Sequence, residues 1–292
     1  MKSDTSATTL LLDQLSRNSS PYQDPMTRVN WNELDTDSYW LPEPALSLYG
    51  VPEFMDCPQQ QRIRLSQYEF LHLLEVGLWL EGLFIAQLGR GLRRHQASFS
   101  LAAYHLHELR EEAGHSLMFM ELMRRSGLTR VPLDGRRLRW LDRIGRHVSA
   151  DSLLFQALTL IGEEVPDRMN RFILRQRQSL CPAVVEIIRL HTIDESRHIA
   201  HAKNRVSVAL RSAGGLARLA TRFLLPRLFR HFVQLVYFPG PGVYQRAGFA
   251  PGRCWADVAR HNPRRHRFIE QQLESSLRVL KQQGYALHWR RP

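Results

Sequence analysis

The segment His191-Thr192-Ile193-Asp194-Glu195-Ser196-Arg197-His198 lies within a long helical pattern and decides the fold prediction. An α-helix turns by about 100° per residue, so His191, Glu195 and His198 fall within about 60° of one another. Two imidazoles and a carboxylate on one helix face form a ligand set for a transition metal, and this mixture suits iron. The segment therefore predicts one half of a metal centre.

An earlier helical segment repeats the Glu-x-x-His part of this pattern as Glu112-Ala113-Gly114-His115. A single Glu-x-x-His pair arises by chance in many helices. Two pairs on separate helices are the pattern of the di-iron carboxylate bundles, in which two further helices each add one glutamate. The doubled motif predicts a four-helix bundle around two metal ions.

Glu81 is the best candidate for the glutamate of the first helix. Facing residues in an antiparallel helix pair lie at similar distances from the connecting turn, here near residues 91–98. Glu81 precedes this turn by about as many residues as Glu112 follows it, whereas Glu75 and Glu69 lie farther away.

Glu163 and Glu164 compete for the corresponding position on the third helix. The residues that share a face with Glu164 are apolar: Leu153, Ala157 and Leu160. Those that share a face with Glu163 are polar: Gln156, Thr159 and Asn170. A carboxylate buried on an apolar face without a partner loses several kcal/mol of solvation, which a metal would offset. Glu164 is therefore the predicted ligand.

Two acidic residues directly precede the glutamates of the Glu-x-x-His motifs. Glu111 and Asp194 are predicted to accept hydrogen bonds from the outer N–H groups of the ligand imidazoles. For Glu111, solvent exposure is an equally simple interpretation.

Four glycines interrupt the helical patterns near the proposed ligands: Gly77, Gly82, Gly114 and Gly162. Each costs about 1 kcal/mol relative to alanine inside a helix. One hypothesis is that they open space beside the metals for oxygen and substrate. Close helix–helix packing explains them almost as well.

The long helical patterns predict an all-α fold with almost no strand. They span residues of about 64–92, 99–126, 151–178 and 182–213, with a shorter amphipathic piece at about 134–147. Residues 1–60 contain helix-breaking prolines and are predicted to form an extended N-terminal lead-in. Residues 61–292 are predicted to form a single domain, with its core at about 64–212 and a C-terminal helical extension at 216–292. The apolar, arginine-containing helix at 216–238 is expected to pack on the bundle, and binding to an anionic membrane surface is the alternative.

Composition describes a globular chain of 292 residues, 43% of them apolar. Its three cysteines form no C-x-x-C motif, which argues against a disulfide framework and suits a reducing compartment. Neither a signal peptide nor a transmembrane segment is evident, so a cytoplasmic location is expected. The net charge of +12 comes almost entirely from dispersed arginines without a recognition motif, so no nucleic-acid partner is expected.

With these residues in place, the sequence resembles the di-iron N-oxygenase family typified by p-aminobenzoate N-oxygenase, in the ferritin-like superfamily. The resemblance covers residues of about 64–212. It depends on seven side chains: Glu81, Glu112, His115, Glu164, His191, Glu195 and His198. His191 is the discriminating residue, because that family uses a seventh protein ligand where ferritins and ribonucleotide reductase small subunits typically have six.

The resemblance implies a ferritin-like bundle that holds two iron ions joined through an oxygen or peroxide bridge. It further implies an O2-dependent monooxygenase that converts a small amine to hydroxylamine, nitroso or nitro products in a specialised biosynthetic pathway. An external electron donor is expected because the chain contains no flavin or iron–sulfur motif. No catalytic residue is predicted beyond the metal ligands, and a homodimer is suggested by analogy alone.

Two other functions are compatible with the same metal ligands. A C–H hydroxylase or oxidase acting on another small substrate would differ in its pocket rather than in its ligands. A ferritin-like iron-binding protein is the alternative from a different functional class, although His191 and the long flanking segments speak against it.

Overall fold

The computed structural model describes residues 2–94, 98–133, 135–282 and 284–289. The α-helices in these residues are α1 (Lys2–Ser19), α2 (Pro25–Arg28), α3 (Pro52–Met55), α4 (Gln59–Arg94), α5 (Phe99–Ser126), α6 (Arg136–His147), α7 (Leu153–Arg175), α8 (Pro182–Ser212), α9 (Gly215–Tyr237), α10 (Pro241–Arg246), α11 (Gly252–His261) and α12 (Pro263–Gln282). Short 3₁₀ turns occur at Trp31–Glu33, Glu43–Ala45 and Arg177–Ser179. No strand forms within these ranges, as the all-α prediction requires.

The four long helices α4, α5, α7 and α8 form the bundle, with α4 beside α5 and α7 beside α8. Local sequence sets their ends. Gly127 adopts a left-handed conformation (φ +64°) and ends α5. The Ser152 hydroxyl accepts a hydrogen bond from the Phe155 amide and caps α7, and Pro182 occupies the first turn of α8. The ferritin-like bundle is confirmed, with helix ends within about five residues of the expected ones.

The N-terminal segment differs from the predicted extended lead-in, because residues 2–19 form helix α1. This helix packs on α5 and α8. Leu12 and Leu15 join Leu101 and Tyr104 in a small apolar cluster separate from the main core. The prolines that break helices begin only after α1, so they constrain residues 20–58 and not the first 19.

Helix α9 is packed at its C-terminal end and exposed at its N-terminal end. Leu225, Phe229 and Val233 are buried, as expected for a helix that covers the bundle. Leu216 and Phe223 are instead 85% and 61% exposed. The prediction that this helix packs on the bundle is therefore correct for its second half only.

Helix α4 is the one described helix with the length and apolar composition of a membrane span, over Gln59–Leu92. Core helices of bundles meet the same criteria, and α4 carries the buried carboxylates of Glu69 and Glu81.

Candidate metal centre

The bundle brings two histidines and two glutamates from α5 and α8 into one buried cluster. His115 Nδ1 lies 3.4 Å from Oε2 of Glu112, and His198 Nδ1 lies 3.2 Å from Oε1 of the same residue. Glu195 Oε1 lies 3.8 Å from the first of these nitrogens and 3.6 Å from the second. The two oxygens of Glu112 thus face different histidines, which is the arrangement of a carboxylate that bridges two ions.

His191 and Glu81 complete one side of this cluster. His191 Nε2 lies 2.9 Å from Glu195 Oε1 and 3.4 Å from Glu81 Oε1. Ligand-type atoms of Glu81, His115, His191 and Glu195 all lie within 4.8 Å of one another. His191 therefore faces the cluster rather than solvent.

From α7, the structure brings Glu163 rather than Glu164 to the cluster. Glu163 lies within 4.8 Å of Glu112 and His198 and interacts with Glu195. Glu164 is buried elsewhere, with one oxygen 2.9 Å from Arg168 Nη2 and the other 2.9 Å from Lys203 Nζ. The structure thus places the predicted ligand Glu164 outside the described cluster, where ion pairs with Arg168 and Lys203 offset the burial of its carboxylate.

The buried polar atoms of the cluster fit a metal centre. Within the described part of the chain, several of them have no hydrogen-bond partner: Glu81 Oε2, both carboxylate oxygens of Glu112, His115 Nδ1, His191 Nε2 and His198 Nδ1. Orphaned buried polar atoms cost about 1–3 kcal/mol each. Carboxylate oxygens and imidazole nitrogens that converge in this way are the ligands that iron and manganese take, so the residues present fit two such ions.

Protons are shared unequally among the buried carboxyl groups. Burial and the charge of Glu81 raise the pKa of Glu112 well above its ordinary value, and burial and Glu195 do the same for the pKa of Glu163. Burial opposes ionisation of Glu81 as well, but its close contacts with Glu112 and the cluster histidines lower its pKa to about 2. In each pair, one carboxyl group therefore holds a proton more tightly and its neighbour holds one less tightly. Bound cations would neutralise both negative charges instead.

The outer nitrogens of the two Glu-x-x-His histidines are held by carboxylates. His115 Nε2 lies 3.1 Å from Asp194 Oδ2, and His198 Nε2 lies 2.9 Å from Glu111 Oε2. These contacts are those predicted for Asp194 and Glu111. They leave the Nδ1 atoms of both histidines facing the cluster, because each carboxylate fixes the ring orientation.

Arg197 connects these two supporting carboxylates. Its Nη2 donates to Glu111 Oε1 at 2.7 Å and also to Asp194 Oδ1. Its Nε donates to the Ser19 hydroxyl at the end of α1, at 2.9 Å. One guanidinium therefore joins the supports of both histidines to the N-terminal helix.

Sequence reasoning assigns no role to Arg197 or Asn170. The Asn170 amide lies 3.0 Å from His191 Nδ1, so it supports the third histidine. The sequence spacing could have identified both residues. Asn170 lies two turns after Glu163 on the same helix face, and Arg197 lies one turn after Asp194.

A cavity of about 720 Å³, including its mouth, adjoins the cluster. Its polar lining consists of Asn170 and four cluster residues: Glu81, Glu163, His191 and Glu195. The rest is apolar and includes Phe70, Leu74, Phe119, Met169, Ile187 and Val236. Among the described residues, no lysine or arginine lines it. The cavity therefore suits an apolar, uncharged molecule held against the metal ligands.

The helix glycines serve different purposes. Gly77 and Gly162 line the cavity, and a Cβ at Gly162 would come within 2.8 Å of the Phe84 ring. Gly114 instead packs against Tyr22 and Pro25. The pocket hypothesis therefore fits Gly77 and Gly162, and helix packing fits Gly114.

The sequence is similar to mycobacterial proteins. It is 27% identical over 241 residues to "Uncharacterized protein Rv0885" of Mycobacterium tuberculosis (strain ATCC 25618 / H37Rv), covering 79% of this chain and 68% of that protein. "Uncharacterized protein Mb0909" of Mycobacterium bovis (strain ATCC BAA-935 / AF2122/97) gives the same values.

Solved structures share the fold. An R2-like ligand-binding oxidase with an aerobically reconstituted Mn/Fe cofactor matches with a TM-score of 0.53 at 12% identity, covering 91% of this chain and 92% of that one. A mutant of an R2-like ligand-binding oxidase with an anaerobically reconstituted Mn/Fe cofactor gives 0.56 at 13% identity, with 93% of both chains covered.

The family model described as "P-aminobenzoate N-oxygenase AurF" matches residues 2–284, which include every helix from α1 to α12. Together with the buried Glu/His cluster, this match shows that the chain belongs to the AurF family and is an oxygen-dependent di-metal oxidoreductase.

Proposed function

We propose that this protein is a di-iron monooxygenase that oxygenates the nitrogen of a small, uncharged amine. The observation that carries the proposal is the apolar cavity, which ends directly on His191, Glu195 and Glu163. Membership of the AurF family supports nitrogen as the atom oxygenated.

Seven side chains would hold the metals: Glu81, Glu112, His115, Glu163, His191, Glu195 and His198. Glu112 and Glu195 each approach more than one histidine and would contribute carboxylate ligands at the centre of the set. The structurally similar R2-like oxidase contains a Mn/Fe cofactor. For this chain we propose iron at both positions, because imidazole and carboxylate ligands suit it. Bound ferrous ions would supply electrons to O2.

The protein's own contribution is to hold the ligands and to place the substrate. Asp194 and Glu111 fix the rings of His115 and His198, so these ligands need little reorganisation when ions bind. The apolar cavity wall excludes water and leaves the amine beside the cluster, because ligand residues dominate its polar lining. An amine nitrogen that enters the cavity would therefore meet the metal side of the bundle.

An external reductant forms part of this proposal. Repeated turnover requires electrons from outside, and the chain carries no flavin or iron–sulfur motif. We propose a cytoplasmic enzyme that receives them from an electron-donor protein or small reductant.

Anaerobic loading with ferrous iron, followed by ¹⁸O2 and an arylamine, tests the proposal. Mass spectrometry should find the label on nitrogen, in hydroxylamine, nitroso or nitro products. Label on carbon would contradict N-oxygenation and favour the C–H hydroxylase. Mineralisation of excess iron without an organic product would favour iron binding or storage instead.

A further inference from the structure

The ligand patterns of α5 and α8 both continue for one turn beyond the di-metal cluster. On α5, His105 and Glu108 precede Glu112 and His115 at spacings of three and four residues. On α8, His201 follows His198 by three residues. Residues at these spacings lie on one helix face, so the extra side chains extend the same ladder.

His105, Glu108 and His201 form a compact buried group. One ligand-type atom of each lies within 4.8 Å of the other two. Each residue is only 5% exposed, and His201 Nδ1 lies 3.1 Å from Glu108 Oε2. Two imidazoles and one carboxylate are a common ligand set for a divalent transition-metal ion.

A buried nitrogen in this group has no hydrogen-bond partner among the described residues. His201 Nδ1 faces Glu108, but His201 Nε2 is buried and bonds to none of them. Leaving such an atom unpaired costs about 1–3 kcal/mol. The di-metal histidines show the same combination, with one ring nitrogen on a carboxylate and the other unpaired inside the bundle.

Open space links this group to the di-metal cluster and to the outside. A second cavity, of about 540 Å³ with its mouth, is lined by all three residues of the group and by Glu163. A wider surface cleft beside Thr8, Leu12 and Leu101 also reaches His201. Arg205 borders both spaces, and its charge is paired with Asp151 at 2.9 Å.

Glu108 belongs to both metal-type groups. Besides His105 and His201, it lies within 4.8 Å of Glu112, Glu163 and His198, measured between ligand-type atoms. A carboxylate in this position can contact an ion in the outer group and an ion in the di-metal cluster by a change of rotamer.

We propose that His105, Glu108 and His201 form a third site for a divalent transition-metal ion, through which ions reach the di-metal centre. The surface cleft delivers the ion to His201, the triad binds it, and Glu108 passes it towards Glu163 and His198. This inference concerns metal loading and does not depend on which substrate atom is oxygenated.

Anomalous X-ray diffraction from crystals of the full chain soaked in Co²⁺ or Zn²⁺ tests the site directly. The expected result is a third anomalous peak between His105, Glu108 and His201, in addition to two peaks in the main cluster. Two peaks in the main cluster at saturating ion, with none in the triad, would overturn the proposal. This measurement needs no variant and so does not depend on the folding of one.

Equilibrium dialysis with Co²⁺ provides a second measurement. The wild-type chain should bind up to three Co²⁺ ions. The His201→Gln variant should bind two, and the absorption of the Co²⁺ ions in its main cluster should match that of the wild type. His72→Gln is the matched control, because His72 is equally buried, lies 2.8 Å from the Leu235 carbonyl oxygen and belongs to neither of the described ligand groups. Equal stoichiometry in the wild type and His201→Gln would contradict the third site.

Stopped-flow loading of the metal-free protein tests the transit role. Glu108→Gln removes the negative charge that attracts the cation, so uptake into the main cluster should slow by about tenfold or more. The final occupancy of that cluster should remain at two. Glu69→Gln, which changes another buried carboxylate that accepts hydrogen bonds from Ser47, serves as the control. Uptake by Glu108→Gln at the rate of this control would rule out transit through the triad.

Discussion

Glu163 and Glu164 are adjacent in sequence but belong to different electrostatic networks. The first meets Glu112, Glu195 and His198 in the metal-type cluster, and the second forms ion pairs with Arg168 and Lys203. Consecutive helical residues point about 100° apart, so one carboxylate faces the cavities while its neighbour does not.

The pair provides a matched test of the ligand set. Glu163→Gln should lower metal affinity by at least about tenfold and abolish turnover, because it removes an anionic ligand. Glu164→Gln should retain two ions and turnover but melt at a lower temperature, since Arg168 and Lys203 lose their partner. Metal analysis and thermal unfolding of both variants measure this. Metal loss in Glu164→Gln but not in Glu163→Gln would reverse the assignment.

Metal binding should release protons and strengthen as pH rises. Burial and neighbouring charges raise the pKa values of Glu112 and Glu163, and contacts with carboxylates outweigh burial to raise the pKa values of His115 and His198. All four groups therefore hold protons more tightly in the metal-free protein, and an incoming cation must displace them. Co²⁺ titrations between about pH 6 and about pH 8 should show affinity increasing with pH. Calorimetry in buffers of different ionisation enthalpy should detect the released protons, and a pH-independent affinity would contradict the prediction.

Gly162→Ala should narrow the substrate cavity without removing a ligand. The new Cβ would meet the Phe84 ring at 2.8 Å, and that ring must turn within the cavity wall. We expect kcat/KM to fall most for bulky arylamines while metal content stays at two ions. Gly82→Ala is the control, since a Cβ there meets nothing within 4 Å and alanine stabilises a helix by about 0.5–1 kcal/mol. An equal fall in kcat/KM in both variants would show that the space beside Gly162 does not affect substrate binding.

Neutral amines should be better substrates than amines that carry a carboxylate. The described lining of the main cavity contains no cationic side chain, and an unpaired buried carboxylate loses several kcal/mol of solvation. Aniline and 4-aminobenzamide should therefore exceed 4-aminobenzoate in kcat/KM by about tenfold or more. Steady-state measurement of kcat/KM for these three compounds tests the prediction. Preference for the benzoate would require a cationic contact that the described lining does not contain.

Much of the bundle can be predicted from sequence because helix periodicity is local. The spacing of His191, Glu195 and His198 determines their common face, and distance from the turn identifies Glu81. Asp194 and Glu111 can be found because neighbours in sequence reach the outer nitrogens of ligands on the adjacent helix. These inferences need only the geometry of a helix and of an antiparallel pair.

The remaining features depend on long-range contacts or on a different physical criterion. The apolar neighbours of Glu164 predict that it faces the metal site. In the structure, however, the polar face of α7 that carries Gln156, Glu163 and Asn170 borders the cavities. One of the two cations that offset the burial of Glu164, Lys203, comes from another helix, so local periodicity cannot reveal it. Helix α1 is missed because the prolines of residues 20–60 are taken as evidence against a helix in all of residues 1–60.

The contacts of Arg197 connect the N-terminal helix α1 to the residues that support the metal ligands. One guanidinium joins Ser19 to the carboxylates behind His115 and His198. If docking of α1 steadies these imidazoles, linkage requires that metal occupancy tighten the docking of α1 by the same free energy. Helix α1 would then dock more tightly when the metal centre is occupied than when it is empty.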